Sequence, residues 1–412
     1  PSMTLLDDLK ALIAKYDAPV EPVPVEPAPV EPVPVDTAPV DPVPVPTDPA
    51  PADPSPPLTG PVLTSKAEID AALAAAKPGA AIYFSGDYPA GLTFKGLKFA
   101  YTVQLIGVNA RAEFVDLVGC ENLDVLQVTA YPTVFPLVDK YRPLFRARLG
   151  SVYCRFIECV GMGHATGRDY YNWTQAEWLE RKVFGIHLES PFCEAIDCDL
   201  RGVGFGILAK ADDTTIRDCR VIGFSTDAYR ILGDRVLHSN NVSADSFNVD
   251  PGHDDGTQGW EDGADKVLTG CTIQNWRHVD WLYDRTKPFP GESQGLGMFD
   301  GMYDGWTVIS CQIATDHYHG IVFAGATNVS LQRNQCFTQT NLRPGYPQIR
   351  IDPAKATRGG FPSHHNEILE CIAPRLVLND DPATRIEDRN VIGQPRDETA
   401  YQELLAYVRA VA

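Results

Sequence analysis

Gly206-Ile207-Leu208-Ala209, followed six residues later by Ile216-Arg217-Asp218-Cys219-Arg220-Val221, is the stretch from which the fold of this 412-residue chain can be read. Its first part is a small residue followed by apolar residues at alternate positions, which is typical of a short strand. The same pattern recurs in degenerate form. Its other copies are Gly185-Ile186-His187-Leu188, Ala228-Tyr229-Arg230-Ile231, Gly256-Thr257-Gln258-Gly259, Gly295-Leu296-Gly297-Met298 and Gly320-Ile321-Val322-Phe323.

The second part reads as an apolar residue, two residues, Cys or Asn, one residue and another apolar residue. The repeats recur every 21 to 39 residues with no helical periodicity between them, and each supplies two short alternating strands. Such a repeat buries its apolar side chains only by stacking on its neighbours, so the sequence predicts a solenoid. Further copies of the second part are Leu268-Thr269-Gly270-Cys271-Thr272-Ile273 and Val308-Ile309-Ser310-Cys311-Gln312-Ile313.

These ladders resemble the right-handed parallel β-helix of the pectin-lyase-like superfamily, and residues 64–106 are similar to its opening segment. Ser65 to Leu73 predicts a short capping helix, and Lys77-Pro78-Gly79-Ala80-Ala81-Ile82-Tyr83-Phe84 leads to Gly86-Asp87-Tyr88. The family usually reads Pro-Gly-Asp-Thr-Ile and then Gly-Thr-Tyr, so Ala80 departs from the usual Asp. The resemblance implies an all-β fold, a right-handed single-stranded parallel β-helix over 61–396, but not a reaction.

The charge balance restricts the partners. The chain has 35 Lys and Arg against 54 Asp and Glu, a net charge of −19, whereas a nucleic-acid or anionic-membrane binder normally presents a basic patch. We therefore expect neither partner. No apolar run reaches the length of a membrane span, and the N-terminal residues show no secretory signal. A leader removed before Pro1 and a trimmed initiator Met both fit this start.

Proline divides the chain. Residues 18–57 contain 16 of the 34 prolines, seven acids and no Lys or Arg. Proline fixes φ and lacks the N–H, so residues 18–60 are predicted to form an extended, polyproline-II-like linker. Both a disordered linker and a spacer that holds the body away from an anchor fit this composition.

Amphipathic helices are predicted at both ends. In residues 1–17, Leu5, Leu9 and Leu12 share one face, and so short a helix needs a partner, which favours an anchor that docks on another protein. At the other end, Asp397 to Val411 predicts a helix that caps the body, within a C-terminal segment at 397–412.

All ten cysteines lie in the body, several at one place in the repeat. Cys198 and Cys219 are expected to be neighbours in an inward ladder of reduced thiols, where Asn334 takes the same place in a later coil. Without a CxxC pair or a Cys/His cluster, no metal site is predicted.

The outward side chains of the first pattern form the candidate site. Alternation sends one of them outward per coil, so they should form a row along the solenoid, flanked by residues that precede each strand. The predicted row is His187, Leu208, Arg230, Gln258, Gly297 and Val322, and the predicted flanking residues are Asp227, Asp255, Gln294 and His319.

Polar runs concentrate around this row. They are Asp250-Pro251-Gly252-His253-Asp254-Asp255-Gly256-Thr257-Gln258 and Asp316-His317-Tyr318-His319-Gly320, with Asp300 and Asp304 between them. The His-Asp-Asp-Gly-Thr-Gln run followed by Gln294-Gly295-Leu296 is similar to a motif in bacterial and phage β-helix proteins that act on polysaccharides.

Three interpretations stay open. In a glycosidase, carboxyls about 5 Å apart favour retention and about 6.5–9.5 Å favour inversion, and Asp227 and Asp255 on adjacent coils approach the shorter spacing. In a uronate lyase, His253 or His319 would be the base and Arg230 or a Ca²⁺ held by the acids would neutralise the carboxylate. The third is a solvated acidic turn region without chemistry.

Two long loops, at about 161–182 and 278–294, contain Trp173 and Trp281 with several tyrosines. Flat aromatic rings suit the apolar faces of sugars, although the same rings could instead pack the loops against the solenoid.

Together these features favour a spike or fibre of a phage or phage-like particle that binds, and in one version cleaves, host surface polysaccharide. Its N-terminal helix would bind other virion proteins, and resemblance to phage spikes implies a homotrimer at the virion surface. The alternatives are a secreted polysaccharide lyase or glycoside hydrolase and a purely structural decoration protein.

The site assignments follow from the row and the runs. No cofactor is predicted, with calcium as the alternative. The predicted catalytic residues are Asp227, His253, Asp254, Asp255, Asp300 and His319; the predicted substrate-binding residues are Trp173, His187, Arg230, Gln258, Trp260, Trp281, Gln294, Asp304 and His317.

Overall fold

The chain winds into the predicted right-handed parallel β-helix, in which neighbouring strands run parallel. The computed structural model describes residues 60–412 except 136, 138, 140–141, 251, 261–265, 283–286, 290, 341–344, 379–383 and 387–388. The predicted anchor helix at 1–17 and the linker at 18–60, apart from residue 60, lie outside the described residues. Within them, no helix is long and apolar enough to cross a membrane.

The first pattern of the sequence forms an eleven-stranded sheet. Its small residue is required by the coil spacing: a Cβ on Gly206 would lie 2.1 Å from the carbonyl oxygen of Ala228 in the next coil. The strands are Leu92–Lys95, Val115–Val118, Pro143–Ala147, Phe184–Leu188, Phe205–Ala209, Asp227–Ile231, Asp255–Trp260, Gln294–Asp300, His319–Ala324, Gln348–Asp352 and Arg375–Leu378.

The second pattern forms the bent sheet, a 22-stranded sheet in which most coils contribute two short strands that meet at a corner. A three-stranded sheet, Leu268–Thr269, Tyr303–Asp304 and Ala326–Thr327, fills one edge. The strands of the bent sheet are Val62–Leu63, Ala81–Tyr88, Lys98–Ala112, Glu121–Ala130, Arg155–Ile157, Val160–Met162, Glu194–Ile196, Asp199–Val203, Thr215–Arg217, Arg220–Phe224, Leu237–Ser239, Val242–Ser246, Thr272–Gln274, Arg277–Val279, Thr307–Ile309, Gln312–Ala314, Ser330–Gln332, Gln335–Phe337, Glu367–Leu369, Ile372–Ala373, Arg385–Ile386 and Val391–Ile392.

The expectation of two strands per repeat was wrong, because most coils have three. A residue in the left-handed conformation divides the second pattern, as Asp218 does at φ 58° between Thr215–Arg217 and Arg220–Phe224. Glycine usually marks such a position, and here Asp, Asn, Gln, Ser, Arg and Glu occupy it. The alternating pattern of apolar residues continues across the corner, so the two strands look like a single strand in the sequence.

Most corners are held by the next coil. The N–H of Asp218 donates to the carbonyl of Ser239 at 3.0 Å, and the N–H of Asn240 donates to Gln274 at 2.9 Å. This leaves no orphaned amide at a position where the strand pairing is interrupted. The corner residues, from Gln127 onward, are Gln127, Glu158, Asp197, Asp218, Asn240, Asn275, Ser310, Arg333 and Glu370, with φ between 48° and 58°.

The residue after each corner points into the core, which explains the Cys or Asn of the second pattern. Cys198 Sγ–H donates to the carbonyl of Phe156 one coil earlier at 3.4 Å. Asn334 does more, since its Oδ1 accepts from the N–H of Cys311 at 3.0 Å and its Nδ2 donates to Val308 at 2.9 Å. All ten cysteines are free and buried, as expected.

The described residues include three α-helices beside the solenoid: α1, Lys66–Ala74; α2, Gln175–Arg181; and α3, Glu398–Val411, with 3₁₀ helices at Gly167–Asn172 and Ala356–Arg358. Ser65 caps α1 in a capping box with Glu68, which confirms the predicted start. Asp397 caps α3, whose buried residues pack on the outside of the bent sheet. Those residues are Tyr401, Leu404, Leu405 and Val408, and they contact a cluster that includes Ile222, Val242, Val279 and Phe337.

The strain at the corners can be measured. Replacing Arg333, an exposed corner residue at φ 50°, with glycine should raise the free energy of unfolding by about 0.5 to 1 kcal/mol, because glycine adopts φ > 0 without a Cβ clash. Arg217→Gly is the matched control, since Arg217 is an exposed strand residue where glycine should destabilise. Thermal unfolding of both variants is the measurement. Destabilisation by Arg333→Gly equal to that by Arg217→Gly would contradict the argument.

Candidate functional site

The predicted outward row is continuous across the eleven-stranded sheet. Strand register pairs its members in the expected order, from His187 with Leu208 to Gly297 with Val322. The row also extends further than predicted, to Arg146 before His187 and to Arg350 after Val322. The remaining register pairs are Leu208 with Arg230, Arg230 with Gln258, and Gln258 with Gly297.

The predicted flanking residues also stack on one another at the starts of their strands. Asp227 pairs in register with Asp255, and Asp255 with Gln294. His319 continues the line, because its Nδ1 lies 2.9 Å from Gln294 Oε1. Two carboxyls, an amide and an imidazole therefore lie on four successive coils.

Asp227 is buried but paired. Arg230 Nε donates to Asp227 Oδ2 at 2.8 Å, and the same guanidinium contacts Gln258 Oε1 at 3.2 Å and lies 4.4 Å from the centre of the Phe205 ring. Burial raises the pKa of Asp227 to about 6, and the charge of Arg230 opposes a larger rise. This carboxyl therefore changes charge close to neutral pH.

Asp255 is buried and unpaired. The residue is only 1% exposed, and neither of its carboxyl oxygens has a hydrogen-bond partner among the described residues. Burial and then the charges of Asp227 and Asp254 raise the pKa of Asp255 well above its usual value, so its protonated form is favoured. A Cβ on Gly297 would lie 2.7 Å from Asp255 Oδ1, so this oxygen occupies the recess that glycine leaves in the row.

Asp254 resembles its neighbour in environment. It is buried, its Oδ2 has no partner among the described residues, and burial raises its pKa. It does not pair in register with Asp227. Asp254 and Asp255 are therefore two adjacent buried carboxyls whose pKa values are both raised.

Three histidines, His253, His317 and His319, lie close together near Gln294. The rings of His253 and His317 lie 6.2 Å apart, and those of His317 and His319 lie 5.1 Å apart. Burial, followed by the charges of His317 and Arg350, lowers the pKa of His319 to about 3. His319 is therefore neutral throughout the physiological range and a weak base.

The structure separates other predicted residues from this group. Asp300 is the last residue of the strand Gln294–Asp300, where it is in register with Trp260. Its carboxylate forms an ion pair with Lys355. Asp304 lies in the three-stranded sheet, where it accepts from Asn328 Nδ2 at 2.8 Å. The described contacts of Asp304 thus lie away from the Asp227 and Asp255 pair.

The loop tryptophans are buried. Trp173 and Trp281 are 4% and 8% exposed and belong to one aromatic cluster with Tyr170, Trp178 and Phe247. This burial favours the packing interpretation that the sequence left open. Since the rings offer little surface to a ligand, their predicted role in substrate binding receives no support from the geometry.

His187 lies on the row but is engaged by its own coil. Its Nδ1 is 3.7 Å from Glu189 Oε1, and Arg146 Nη2 is 2.8 Å from Glu189 Oε2. Sequence reasoning missed Glu189, Arg146 and Arg350, although continuing the two-residue alternation and the strand register by one coil in each direction would have found the two arginines.

No group of three or more His, Cys, Asp or Glu side chains among the described residues is arranged to hold a metal ion. The calcium alternative therefore has no support from these residues. What the arrangement offers is two buried carboxyls, Asp227 and Asp255, on adjacent coils. Neighbouring strands lie about 4.8 Å apart, which is close to the spacing of paired carboxyls in acid and base chemistry.

Comparison with known proteins supports the fold. No protein-family profile and no curated protein matches the sequence. The chain is similar in structure to the Dettilon tailspike protein, with a TM-score of 0.50 and 11% identity over 79% of this chain and 64% of that chain. It also aligns with the PL6 family alginate lyase AlyGC, at a TM-score of 0.45 and 11% identity over 82% of this chain and 52% of that chain.

A mannuronic acid specific polysaccharide family 6 lyase from human gut microbiota aligns at a TM-score of 0.44 and 10% identity, over 84% of this chain and 94% of that chain. The chain spans about two thirds of the tailspike and half of AlyGC. The likeness to the tailspike shows a shared fold, so the molecule is a parallel β-helix protein.

The buried carboxyls should make stability depend on pH. Because the folded pKa of Asp255 is raised, the folded state binds more protons than the unfolded state, and stability falls as pH rises above about 4, the unfolded value. The slope is about 1.4 kcal/mol per pH unit up to the folded pKa. Asp255→Asn should therefore raise Tm at pH 7.5, and this gain should disappear near pH 3.5.

Asp218→Asn is the control, because Asp218 is a partly exposed carboxyl at a left-handed corner that asparagine also adopts. Its effect on Tm should be small at both pH values. A gain for Asp255→Asn that is as large at pH 3.5 as at pH 7.5 would show that ionisation of Asp255 does not limit stability.

Proposed function

We propose that this protein is a virion-attached spike or fibre of a phage or phage-like particle that binds host surface polysaccharide and hydrolyses it at the Asp227 and Asp255 pair. The observation that carries the proposal is the contrast between these two stacked carboxyls. Burial raises the pKa of Asp255 well above its usual value and so favours its protonated form, whereas the charge of Arg230 opposes the rise in the pKa of Asp227. Carboxyl pairs with different pKa values are the usual acid and base of glycoside hydrolysis.

The chemistry follows from these assignments. Asp255 would donate its proton to the glycosidic oxygen as the bond from that oxygen to the anomeric carbon breaks. Asp227 would bond to the anomeric carbon, and water would then displace it with Asp255 acting as the base. The close spacing of adjacent coils favours this retaining route, since inversion needs room for a water between the carboxyls.

Arg230 and Gln258 would position the sugar. Both lie on the outward row, and they contact each other at 3.2 Å beside Asp227. Removing Arg230 would also remove the charge that opposes the rise in the pKa of Asp227. We therefore assign Arg230 two effects, one on sugar binding and one on the ionisation of Asp227.

The lyase alternative fits the same surface less well. A uronate lyase needs a base that accepts a proton near neutral pH, and His319, with a pKa of about 3, is poorly matched to that step. Hydrolysis does not require a histidine base.

The virion setting rests on the N-terminal sequence. A short amphipathic segment at 1–17 followed by a proline-rich, acidic segment at 18–60 suits an anchor and a spacer that extend a glycan-binding body from a particle. The fold shared with a tailspike is compatible with this setting. A secreted enzyme of the same fold would have no need of the anchor helix.

The catalytic assignment predicts a large loss of activity without a loss of fold. Asp255→Asn and Asp227→Asn should each lower the rate of polysaccharide hydrolysis by at least about 100-fold, because general acid catalysis typically contributes 10² to 10⁴. Reducing ends measure hydrolysis, and absorbance near 235 nm would reveal unsaturated products of elimination. Asp218→Asn should retain full activity.

If the wild-type protein releases reducing ends and both variants retain its rate, the site is wrong. A wild-type product that absorbs near 235 nm would establish elimination instead. Binding without either signal would leave a spike that attaches but does not cleave, and would remove the catalytic part of the proposal.

If residues 1–17 are an anchor, attachment to the particle should be separable from polysaccharide binding. Deleting residues 1–17 should abolish incorporation of the protein into particles while the purified protein still binds polysaccharide. Immunoblots of purified particles measure incorporation. Leu9→Asp with Leu12→Asp should reproduce the deletion and Asp8→Ala should not, since Leu9 and Leu12 lie on the predicted apolar face. Normal incorporation of the truncated protein would exclude the anchor role.

A further inference from the structure

A cavity of about 410 Å³ opens at the far ends of the strands that contain the carboxyl pair. Lys210 follows the strand Phe205–Ala209, Leu232 follows Asp227–Ile231, and Trp260 ends Asp255–Trp260, so three successive coils supply its wall. The volume lies in the range of sites that enclose small ligands. The residues that line this Trp260 cavity are Lys210, Asp212, Leu232, Asp234, Trp260, Lys266, Val267 and Leu268.

Trp260 differs from the other tryptophans of the chain. Five of the six, Trp173, Trp178, Trp276, Trp281 and Trp306, are at most 8% exposed, whereas Trp260 is half-buried and borders the cavity. An indole with an accessible surface beside apolar side chains such as Leu232 and Val267 can stack on the apolar face of a sugar ring.

Trp260 also connects the cavity to the carboxyl pair. The guanidinium of Arg230 lies 5.7 Å from the centre of the Trp260 ring and forms an ion pair with Asp227. A polysaccharide bound at Asp227 and Asp255 therefore needs to cross only the outward row to place a neighbouring sugar in the cavity.

The charged side chains that line the cavity differ in whether they already have partners within the protein. Asp212 Oδ1 accepts from the N–H of Asp234 at 3.0 Å, and Asp234 Oδ1 accepts from the N–H of Thr269 at 2.8 Å. Both acids are thus engaged in holding turns together. Lys210, by contrast, is exposed and forms no ion pair within the described part of the chain. An ammonium without a carboxylate partner beside an aromatic ring favours an anionic ligand.

We infer that the Trp260 cavity is a subsite for an anionic sugar, a hexuronate unit whose ring stacks on Trp260 and whose carboxylate binds Lys210, with Lys266 beside it. This inference deepens the proposed function, because the unit would belong to the polysaccharide whose bond lies at the carboxyl pair. It predicts that the bound polysaccharide is acidic, and it gives Lys210 a role in selecting it.

Tryptophan fluorescence tests the subsite without any turnover. Asp255→Asn protein would be titrated with hexuronate oligosaccharides of about six units, from a panel of galacturonate, glucuronate and mannuronate polymers. Each would be compared with its carboxyl-reduced, neutral counterpart. Because the other tryptophans are buried, quenching by acrylamide reports mainly on Trp260. At least one acidic oligosaccharide should protect it, and the reduced form should bind about tenfold or more weakly.

Variants assign the effect to residues. Lys210→Met should weaken acidic binding by about tenfold or more and leave neutral binding unchanged. Lys77→Met, an exposed lysine near α1, is the matched control and should bind as the parent does. Trp260→Phe should abolish the protection signal while circular dichroism stays native.

The outcomes separate the subsite from the catalytic proposal. No protection by any member of the panel, equal binding of acidic and reduced forms, or full affinity in Lys210→Met would each overturn the subsite. Protection of Trp260 in a protein that cleaves nothing would retain the subsite and reject hydrolysis. Cleavage with Trp260 unprotected would retain hydrolysis and reject the subsite.

Discussion

The structure depends on the left-handed corner residue that joins the two strands of the bent sheet in each coil. Its N–H donates to a carbonyl of the next coil, as Asp218 does to Ser239, so the corner is stable only when another coil is stacked on it. This hydrogen bond fixes the spacing of the coils and turns the following side chain, Cys or Asn, into the core. Bonds such as those of Asn334 to Cys311 and Val308 then tie neighbouring coils together.

Regular coils place chemically unrelated residues in line. The eleven-stranded sheet stacks Asp227 on Asp255 and Arg230 on Gln258 because the register repeats, although these residues are far apart in the chain. Stacking also accounts for the electrostatics of the site: burial between the coils and the charges of the neighbouring carboxyls both disfavour the ionisation of Asp255. An unpaired buried carboxyl lowers stability, and such groups are commonly found where function requires a shifted pKa.

Two other parts of the body are covered by the chain itself. The aromatic cluster of Trp173, Trp178 and Trp281 packs the long loops, and α3 covers part of the bent sheet through Leu404 and Val408. The outward row of the eleven-stranded sheet is therefore the surface on which both proposals meet. The carboxyl pair lies at the starts of its strands and the Trp260 cavity at their ends, with Arg230 between them.

The repeat alone determined the solenoid, the inward ladders and the outward row, because period-2 alternation and coil stacking are local rules that the residues 185–323 express directly. It could not reveal the corners, where Arg333 or Glu370 stands in a conformation usually given to glycine, and so three strands per coil were read as two. Whether Trp173 faces a ligand or a loop, and whether Asp304 joins the carboxyl pair, depended on how long insertions pack. Burial and unpaired oxygens likewise arise only when separate coils surround a side chain, so the raised pKa of Asp255 and the accessibility of Trp260 were decided by the tertiary structure.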